Sequence, residues 1–338
     1  MTEGVHQARV TGWLEANVVG IEGPLVFELI AGGHSNLTYA VTDAAGARWV
    51  LRRPPLGHVL ESAHDVGREH RIISALAGSG VPVAPAVGLC RDVEVNDAPF
   101  YVMRFVDGLV LHDCDHAEQV SGADRQRIGE NVVDVLAALH AIDPDDVGLG
   151  DLGRKEAYLE RQLKRWTKQW ENSKTREIPA MEASRRLLAE RMPEQIGASI
   201  VHGDYRLGNM LVADGRIEAV LDWELCTLGD PLADVGYLLN AWLQPGEVDT
   251  RPGDQAPTTV GGFGTREALI ERYAAATGRD LSGIDYYRAF SHWRLAAIGE
   301  GVYKRYLVGA MGQRDDLDLS AFADSVVNRA EAALALLS

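Results

Sequence analysis

The distribution of strand-like and helix-like segments along the chain is the feature that most constrains its fold. Up to about residue 106, the pattern is typical of short strands bounded by glycine turns, with one helical stretch at residues 63–77. From residue 121 onward, apolar residues recur at helical spacing in long segments, which a short hairpin interrupts. The pattern predicts an α+β fold with a small β-rich lobe followed by a larger helical lobe.

The length of the chain supports the same division. At 338 residues it is more than twice the ~150 residues of a typical domain, so two lobes are expected. The last strand-like segment of the β-rich part ends at about residue 106. We therefore predict one domain at residues 1–106 and a second at residues 107–338.

Charge and cysteine content narrow the classes of partner. The chain has 33 Lys and Arg against 49 Asp and Glu, a net charge of −16. A chain this acidic would be repelled by nucleic acid and by anionic membrane surfaces. Neither is therefore an expected partner. The three cysteines lack paired spacing, which is typical of a reducing compartment, and no run of ~18 apolar residues could span a membrane. We expect a soluble, cytoplasmic protein.

The residues most informative about function lie between positions 202 and 224. Asp204 is followed five residues later by Asn209, and Asp222 comes just past a predicted hairpin with an Asp-Gly turn. In kinase catalytic loops with this spacing, the first Asp accepts the hydroxyl proton, while the Asn and the second Asp hold Mg²⁺. Arg206 stands where many kinases have a lysine that neutralises the transferred phosphoryl group. The spacing therefore predicts phosphoryl transfer.

The hairpin explains how Asn209 and Asp222 could share a metal ion. Its strands should run antiparallel, so residues at its entrance and exit should lie side by side, and two oxygen ligands suit Mg²⁺. Asp and Asn also shape turns and cap helices, and any one of these residues alone is more often structural. Three of them at kinase spacing around one hairpin favour phosphoryl transfer over that structural alternative.

The N-terminal lobe offers residues that could bind a nucleotide. Residues 32–36 form a glycine-rich loop between two strands, where backbone N–H groups could cover phosphates, although such a loop is commonly a plain hairpin turn. Arg52 lies on the third strand, where the kinase V-A-I-K strand has its lysine, and Glu69 on the next helix is its natural partner. A surface ion pair is the alternative for these two residues, and the neighbouring Arg53 is an alternative to Arg52.

Together these segments resemble the aminoglycoside phosphotransferase-like superfamily of small-molecule kinases. The resemblance rests on residues 202–209 and 222–224. It is closest to the branch whose kinase domains are fused, in some organisms, to acyl-CoA dehydrogenases, and residues 33–39, 229–234 and 294–305 carry that closer match. The resemblance extends over nearly the whole chain.

The resemblance implies a bilobal protein-kinase-like fold with ATP or GTP between the lobes. The antiparallel-sheet N-terminal lobe would bind the nucleotide, and the helical C-terminal lobe would carry catalysis and acceptor binding. Asp204 and Arg206 would be catalytic, with Asn209 and Asp222 as Mg²⁺ ligands and Asp234 holding the catalytic loop. The residues implied for nucleotide binding are Gly33, Ser35, Asn36, Arg52, Glu69, Arg104 and Val106. The arginine at position 52 departs from the lysine of many relatives, since it keeps the charge but not the point-like geometry.

The sequence therefore predicts an ATP- or GTP-dependent, Mg²⁺-dependent kinase of a small-molecule hydroxyl. Two acceptor classes remain open, and the prediction leans towards a hydroxyacyl compound, as the fused relatives suggest. A cationic amino-alcohol or aminoglycoside is the other, favoured by the net charge of −16. An acidic patch in the acceptor cleft would support the cationic class, and a basic or apolar channel the hydroxyacyl class. A nucleotide-binding pseudokinase scaffold is the alternative of another kind, supported by the arginine at position 52.

Overall fold

The chain folds into two compact units that differ in secondary structure. The first comprises Met1–Gly108 with Glu218–Leu225, and the second comprises Leu109–Ile217 with Cys226–Ser338. The domain boundary expected at residue 106 stays a prediction. The structure is a computed structural model, and the residues that it describes are 2–31, 36–56, 65–248, 255–310 and 318–338.

The first unit is built on a five-stranded antiparallel sheet. Its strand order is β1-β2-β3-β5-β4, and its central strands are rich in the β-branched and aromatic residues that favour a pleated, half-buried surface. The strands are β1 (Val26–Ala31), β2 (Leu37–Thr42), β3 (Arg48–Arg53), β4 (Ala86–Cys90) and β5 (Phe100–Arg104). The helices of this unit are α1 (Gln7–Asn17), α2 (Val66–Leu76) and α3 (Val93–Asn96).

The core of the first unit contains apolar side chains of the sheet and of α1. Val10 and Leu14 of α1 are buried in one cluster with Phe27, Trp49 and Phe100 of the strands. The sequence did not predict α1, because its buried face consists of only these two residues, one turn apart. Two apolar positions are too few for a periodic signal.

Helix α2 places a charged residue on its buried face. The carboxylate of Asp65 accepts the N–H of Arg68 at 3.0 Å and so caps the helix. Val66, Glu69 and Leu76 then follow one another at helical spacing on the buried side. A buried carboxylate is stable only when another group compensates its charge, so Glu69 must have a partner.

The second unit is mainly helical. Its central helix α10 (Ile284–Leu307) contacts α6, α7, α8 and α11. No helix in the described part of the chain is both long enough and apolar enough to cross a bilayer. The other helices of this unit are α4 (Cys114–Glu118), α5 (Gly122–Ala141), α6 (Tyr158–Ser173), α7 (Pro179–Glu190), α8 (Leu232–Ala241), α9 (Arg266–Thr277) and α11 (Leu319–Leu336).

Short strands of the second unit flank the segment that carries Asp204. β7 (Ser199–Val201) pairs with β10 (Thr227–Gly229), and β6 (Leu109–Val110) pairs with β8 (Met210–Ala213), both antiparallel. Strand β8 leads into a two-residue turn with φ values of 50° and 78°, as a tight hairpin requires. The chain then passes along β9 (Arg216–Val220) into the first unit. The predicted hairpin is confirmed, whereas the two-residue β6 and the three-residue β10 were not predicted.

Candidate active site

The backbone of the loop after β7 is hydrogen-bonded to a buried carboxylate of the second unit. Oδ2 of Asp234, on α8, accepts the backbone N–H of His202 at 2.6 Å, and Oδ1 accepts that of Gly203 at 2.8 Å. Burial opposes the charge of Asp234, but hydrogen bonds from His140 and from Gly203 hold its pKa below the usual value. The contact that the resemblance implied for Asp234 is present.

The side chains of Asp204, Arg206 and Asn209 meet at this loop. Asn209 donates its Nδ2 to Oδ2 of Asp204 at 2.6 Å and to the Asp204 backbone carbonyl at 2.8 Å. Nε of Arg206 lies 3.4 Å from Oδ1 of Asp204. Because Asn209 uses its amide N–H groups on Asp204, its carbonyl oxygen is the group left to bind a cation. The structure therefore brings together the three predicted residues of the second unit.

Asp204 lines a pocket of the second unit. The pocket has a volume of about 350 Å³, at the lower end of the range for small-molecule sites. Asp204 is the one carboxylate among its described lining residues, whereas Arg206 and Arg329 contribute positive charge. The lining residues are Asp204, Arg206, Tyr237, Asn240, Ala241, Leu243, Val248, His292, Leu295 and Arg329.

The pKa of His292 reflects the positive charge around this pocket. Burial lowers its pKa, and the nearby guanidinium groups of Arg329, Arg288 and Arg266 lower it further, to about 3. The imidazole is therefore neutral near pH 7. Its Nδ1 is buried and has no hydrogen-bond partner among the described residues. The pocket thus combines a positive field with an unused polar group.

In the first unit, Arg52 joins two carboxylates. Its Nε lies 2.9 Å from Oε2 of Glu69, and its Nη2 lies 2.7 Å from Oδ1 of Asp222. Glu69 is 3% exposed, and it also accepts the phenol of Tyr101 at 3.3 Å. Burial opposes the charge of Arg52, yet Glu69, Tyr101 and Asp222 offset burial and raise its pKa above the ordinary value. Arg52 is therefore the partner that buried Glu69 requires.

A third carboxylate completes this cluster. Oxygen atoms of Glu69, Asp222 and Glu224 lie within 4.8 Å of one another, the one such group of possible metal ligands among the described residues. Asp222 has a φ of 63°, in the left-handed region, where a non-glycine residue is uncommon and is frequently functional. Closely spaced carboxylate oxygens fit a hard cation such as Mg²⁺. The sequence predicted Asp222 as a metal ligand, which stays a prediction, and it did not single out Glu224.

For the other residues predicted to bind the nucleotide, the described part of the structure shows few polar side-chain contacts or none. Gly33 and Ser35 lie outside the described residues. Asn36 is 3% exposed, and neither polar atom of its side chain has a partner among the described residues. The backbone N–H of Arg104 donates to Pro85 at 2.8 Å, and Val106 is half-buried after β5. The roles predicted for these residues in nucleotide binding stay predictions.

Asn209 and Asp222 fall in different compact units, the second and the first respectively. Their predicted proximity as two ligands of one metal ion stays a prediction. The structure places Asp222 with Arg52 and Glu69, and it places Asn209 with Asp204.

Comparison with known proteins identifies the family. The model described as "Phosphotransferase enzyme family" matches residues 26–290. The chain belongs to this phosphotransferase family. The prediction of a phosphotransferase is thereby confirmed at the level of the family.

The curated relatives are longer proteins with dehydrogenase names. Acyl-CoA dehydrogenase family member 10 of Mus musculus is 38% identical over 292 residues, which are 85% of this chain and 27% of that protein. Acyl-CoA dehydrogenase family member 11 of Homo sapiens is 32% identical over 321 residues, 93% of this chain and 40% of that protein. The chain thus spans less than half the length of these relatives. The resemblance to kinase domains fused to acyl-CoA dehydrogenases is confirmed.

Solved structures share the fold of this phosphotransferase. A Ralstonia eutropha protein named for the aminoglycoside phosphotransferases is 35% identical and has a TM-score of 0.83, covering 98% of this chain and 97% of that one. An aminoglycoside phosphotransferase in ternary complex with AMP-PNP and hygromycin B has a TM-score of 0.63 at 17% identity, covering 97% and 98%. The predicted α+β, bilobal kinase-like fold is confirmed.

Sequence reasoning missed several residues beside Asp204, foremost Tyr237, His292 and Arg329. Tyr237 follows Asp234 by three residues on α8, so the two share a helix face. That spacing is a signal that could have indicated Tyr237. His292 and Arg329 lie on α10 and α11, far from the motif in sequence, and no local pattern marks them.

Proposed function

We propose that this protein is an ATP- or GTP-dependent, Mg²⁺-dependent phosphotransferase that acts on a hydroxyl group of a small molecule. The observation that carries the proposal is the position of Asp204. Its carboxylate is held by Asn209 and at the same time lines a pocket of about 350 Å³. A general base must reach the proton that it removes, and a pocket wall is where an acceptor hydroxyl can come within that reach.

The residues of the second unit would perform the acceptor half of the reaction. Asp204 orients the hydroxyl and takes its proton while the acceptor oxygen bonds to the γ-phosphorus and the bond to the nucleoside diphosphate breaks. Arg206, beside Asp204, places positive charge near the transferred group. Positioning and electrostatics of this kind supply most of the catalysis in phosphoryl transfer.

The residues of the first unit would bind the donor half. Asp222 and Glu224 are the oxygen ligands that this unit would offer to a divalent cation, and the sequence prediction adds the carbonyl of Asn209. When bound, Mg²⁺ would offset negative charge on the β- and γ-phosphates. Arg52 would face the phosphates from a position held by Glu69, and Asn36 would supply a buried amide with no other partner among the described residues.

The acceptor pocket favours an anionic hydroxyacyl compound over a cationic aminoglycoside. Its described lining has two arginines and one carboxylate, and that carboxylate is the proposed base. A polycationic acceptor would need carboxylates at its amino groups, whereas the field of Arg206 and Arg329 would repel it. The net charge of −16 on the whole chain suits a cationic acceptor, but the described lining of the pocket itself carries positive charge. We propose a hydroxyacyl acceptor that carries negative charge, such as a hydroxyacyl thioester of coenzyme A.

A panel of acceptors tests this proposal. Hydroxyacyl-CoA thioesters, free hydroxy acids, aminoglycosides and amino-alcohols would be incubated with Mg²⁺ and either ATP or GTP, and nucleotide consumption and acceptor mass would be measured. We expect phosphorylation of hydroxyacyl compounds, slowed by ~10²-fold or more in the Asp204→Asn protein, which is the control. Phosphorylation of aminoglycosides alone would contradict the acceptor class, and the absence of any transfer would contradict the kinase.

A further inference from the structure

The phenol of Tyr237 contacts the carboxylate of the proposed base. Tyr237 lies on α8 and donates its hydroxyl to Oδ1 of Asp204. Burial raises the pKa of Tyr237, and the negative charge of Asp204 raises it further. The phenol therefore keeps its proton and acts as a donor. Tyr237 also lines the pocket, so it lies beside any acceptor that reaches Asp204.

The contacts of Asp204 with the described residues leave one position for a further donor. A carboxylate offers about four lone-pair positions, two on each oxygen. Tyr237 and Arg206 approach Oδ1, and Asn209 occupies one position on Oδ2. The remaining position is on Oδ2, and the side chain of Asp204 is 20% exposed. An acceptor hydroxyl would be directed to that position.

Tyr237 is itself held in place by Arg294. The Arg294 guanidinium lies over the Tyr237 ring, 5.2 Å from its centre, and Nη2 donates to the carbonyl of Gly203 at 3.0 Å. Asp234, one turn earlier on α8, accepts the N–H of the same Gly203. The phenol and the backbone beside the base are therefore attached to the same helices, α8 and α10, and should move as one body.

We propose that Tyr237 is a positioning residue for Asp204. Its hydroxyl occupies Oδ1, fixes the orientation of the carboxylate and so reserves Oδ2 for the acceptor hydroxyl. This inference rests on the proposed function, because it assigns Tyr237 a role only if Asp204 acts as the base. The phenol stays protonated throughout, and the acceptor proton passes to Oδ2 of Asp204.

The test is a double-mutant cycle between Tyr237 and Asp204. The measured rate is phosphate release from MgATP and from MgGTP with water as the acceptor, beside nucleotide affinity by calorimetry. We expect Tyr237→Phe, which keeps the ring under Arg294, to lower the rate by about tenfold, less than the ~10²-fold or more that loss of a general base costs. The nucleotide affinity of the Tyr237→Phe protein should stay within about twofold of that of the wild type. In the Asp204→Asn protein, Tyr237→Phe should change the rate by less than about twofold, since residues that act as a unit are not additive.

Tyr286→Phe is the matched control, because its buried hydroxyl donates to the Leu188 carbonyl on α7. It should leave the rate unchanged. An unchanged rate in Tyr237→Phe would overturn the proposal. It would also be overturned if Tyr237→Phe lowered the rate by the same factor in the wild type and in Asp204→Asn, because a merely structural role has that effect. Equal rates in the wild type and Asp204→Asn would instead contradict the proposed function on which the inference rests.

Discussion

Arg52 donates to Oδ1 of Asp222 at 2.7 Å, whereas its neighbour Arg53 donates to the carbonyl of Gly4 at 2.5 Å. Successive residues of a strand point to opposite faces of the sheet, so one arginine faces the carboxylates and the other faces the N-terminal segment. The sequence left Arg53 open as an alternative to Arg52. The contacts in the first unit favour Arg52 as the phosphate-side cation.

Nucleotide binding should therefore depend on Arg52 and be insensitive to Arg53. Arg52→Ala removes the cation beside Glu69 and Asp222, and we expect nucleotide affinity to fall by about tenfold or more, the scale of a lost charge-assisted hydrogen bond. Arg53→Ala is the matched control, and its affinity should stay within about twofold of the wild type. Calorimetry with ATP and GTP measures both. Weaker binding in Arg53→Ala alone would contradict the assignment.

The buried pair of Arg52 and Glu69 should also be visible in stability. Arg52→Met leaves the carboxylate of Glu69 buried and uncompensated, so the free energy of unfolding should fall by about 3 kcal/mol. Replacing both residues, as Arg52→Met with Glu69→Leu, removes that uncompensated charge and should recover most of the loss. Urea denaturation of the wild type, the single and the double variant tests this. A double variant less stable than Arg52→Met would be the contrary result.

The metal assignment predicts a specific effect on thermal stability. A ligand that binds only the native state raises the melting temperature, so nucleotide with Mg²⁺ should stabilise the wild type more than nucleotide with a chelator. Asp222→Ala should abolish that difference. Glu94→Ala removes an exposed carboxylate of the same unit and is the control that should retain it. If Asp222→Ala keeps the Mg²⁺-dependent shift, Asp222 is not a ligand.

His292 should make the protein less stable as the pH falls. Its imidazole stays neutral in the folded state down to about pH 3, whereas in the unfolded chain it takes up a proton near its ordinary pKa of 6.5. Between these values the unfolded state binds one more proton, so stability is lost at up to about 1.4 kcal/mol per pH unit. His292→Gln cannot titrate and should lose less stability on acidification. Urea midpoints at several pH values measure this, and identical slopes in both proteins would contradict it.

The sequence predicted those parts of the site that lie in short, continuous motifs. Asp204 and Asn209 are five residues apart and bond directly, and Asp222 follows the hairpin, so local spacing was enough to indicate them. Helix α5 likewise lies in the part of the chain after residue 121 that was predicted to be helical, because its apolar residues recur over twenty residues. In such segments local pattern and final structure agree.

The residues that sequence reasoning missed depend on tertiary packing. Tyr237 meets Asp204 because α8 packs beside the loop, and Arg329 reaches the pocket from α11, more than a hundred residues after the motif. Strand β10 has only three residues, so its pairing with β7 leaves no alternating pattern to detect. Contacts of this kind depend on which helix faces pack against each other. A single sequence does not show that packing.

The role of Asp204 as the base is the central claim, and Asp204→Asn tests it most directly. The substitution keeps the shape of the side chain but removes its capacity to take a proton. Nucleotide and Mg²⁺ binding, measured by calorimetry, should survive nearly intact, while turnover falls by ~10²-fold or more. Turnover equal to that of the wild type would contradict the account. Tight nucleotide binding by both proteins, with no transfer by the wild type to any hydroxyl, would favour the pseudokinase scaffold.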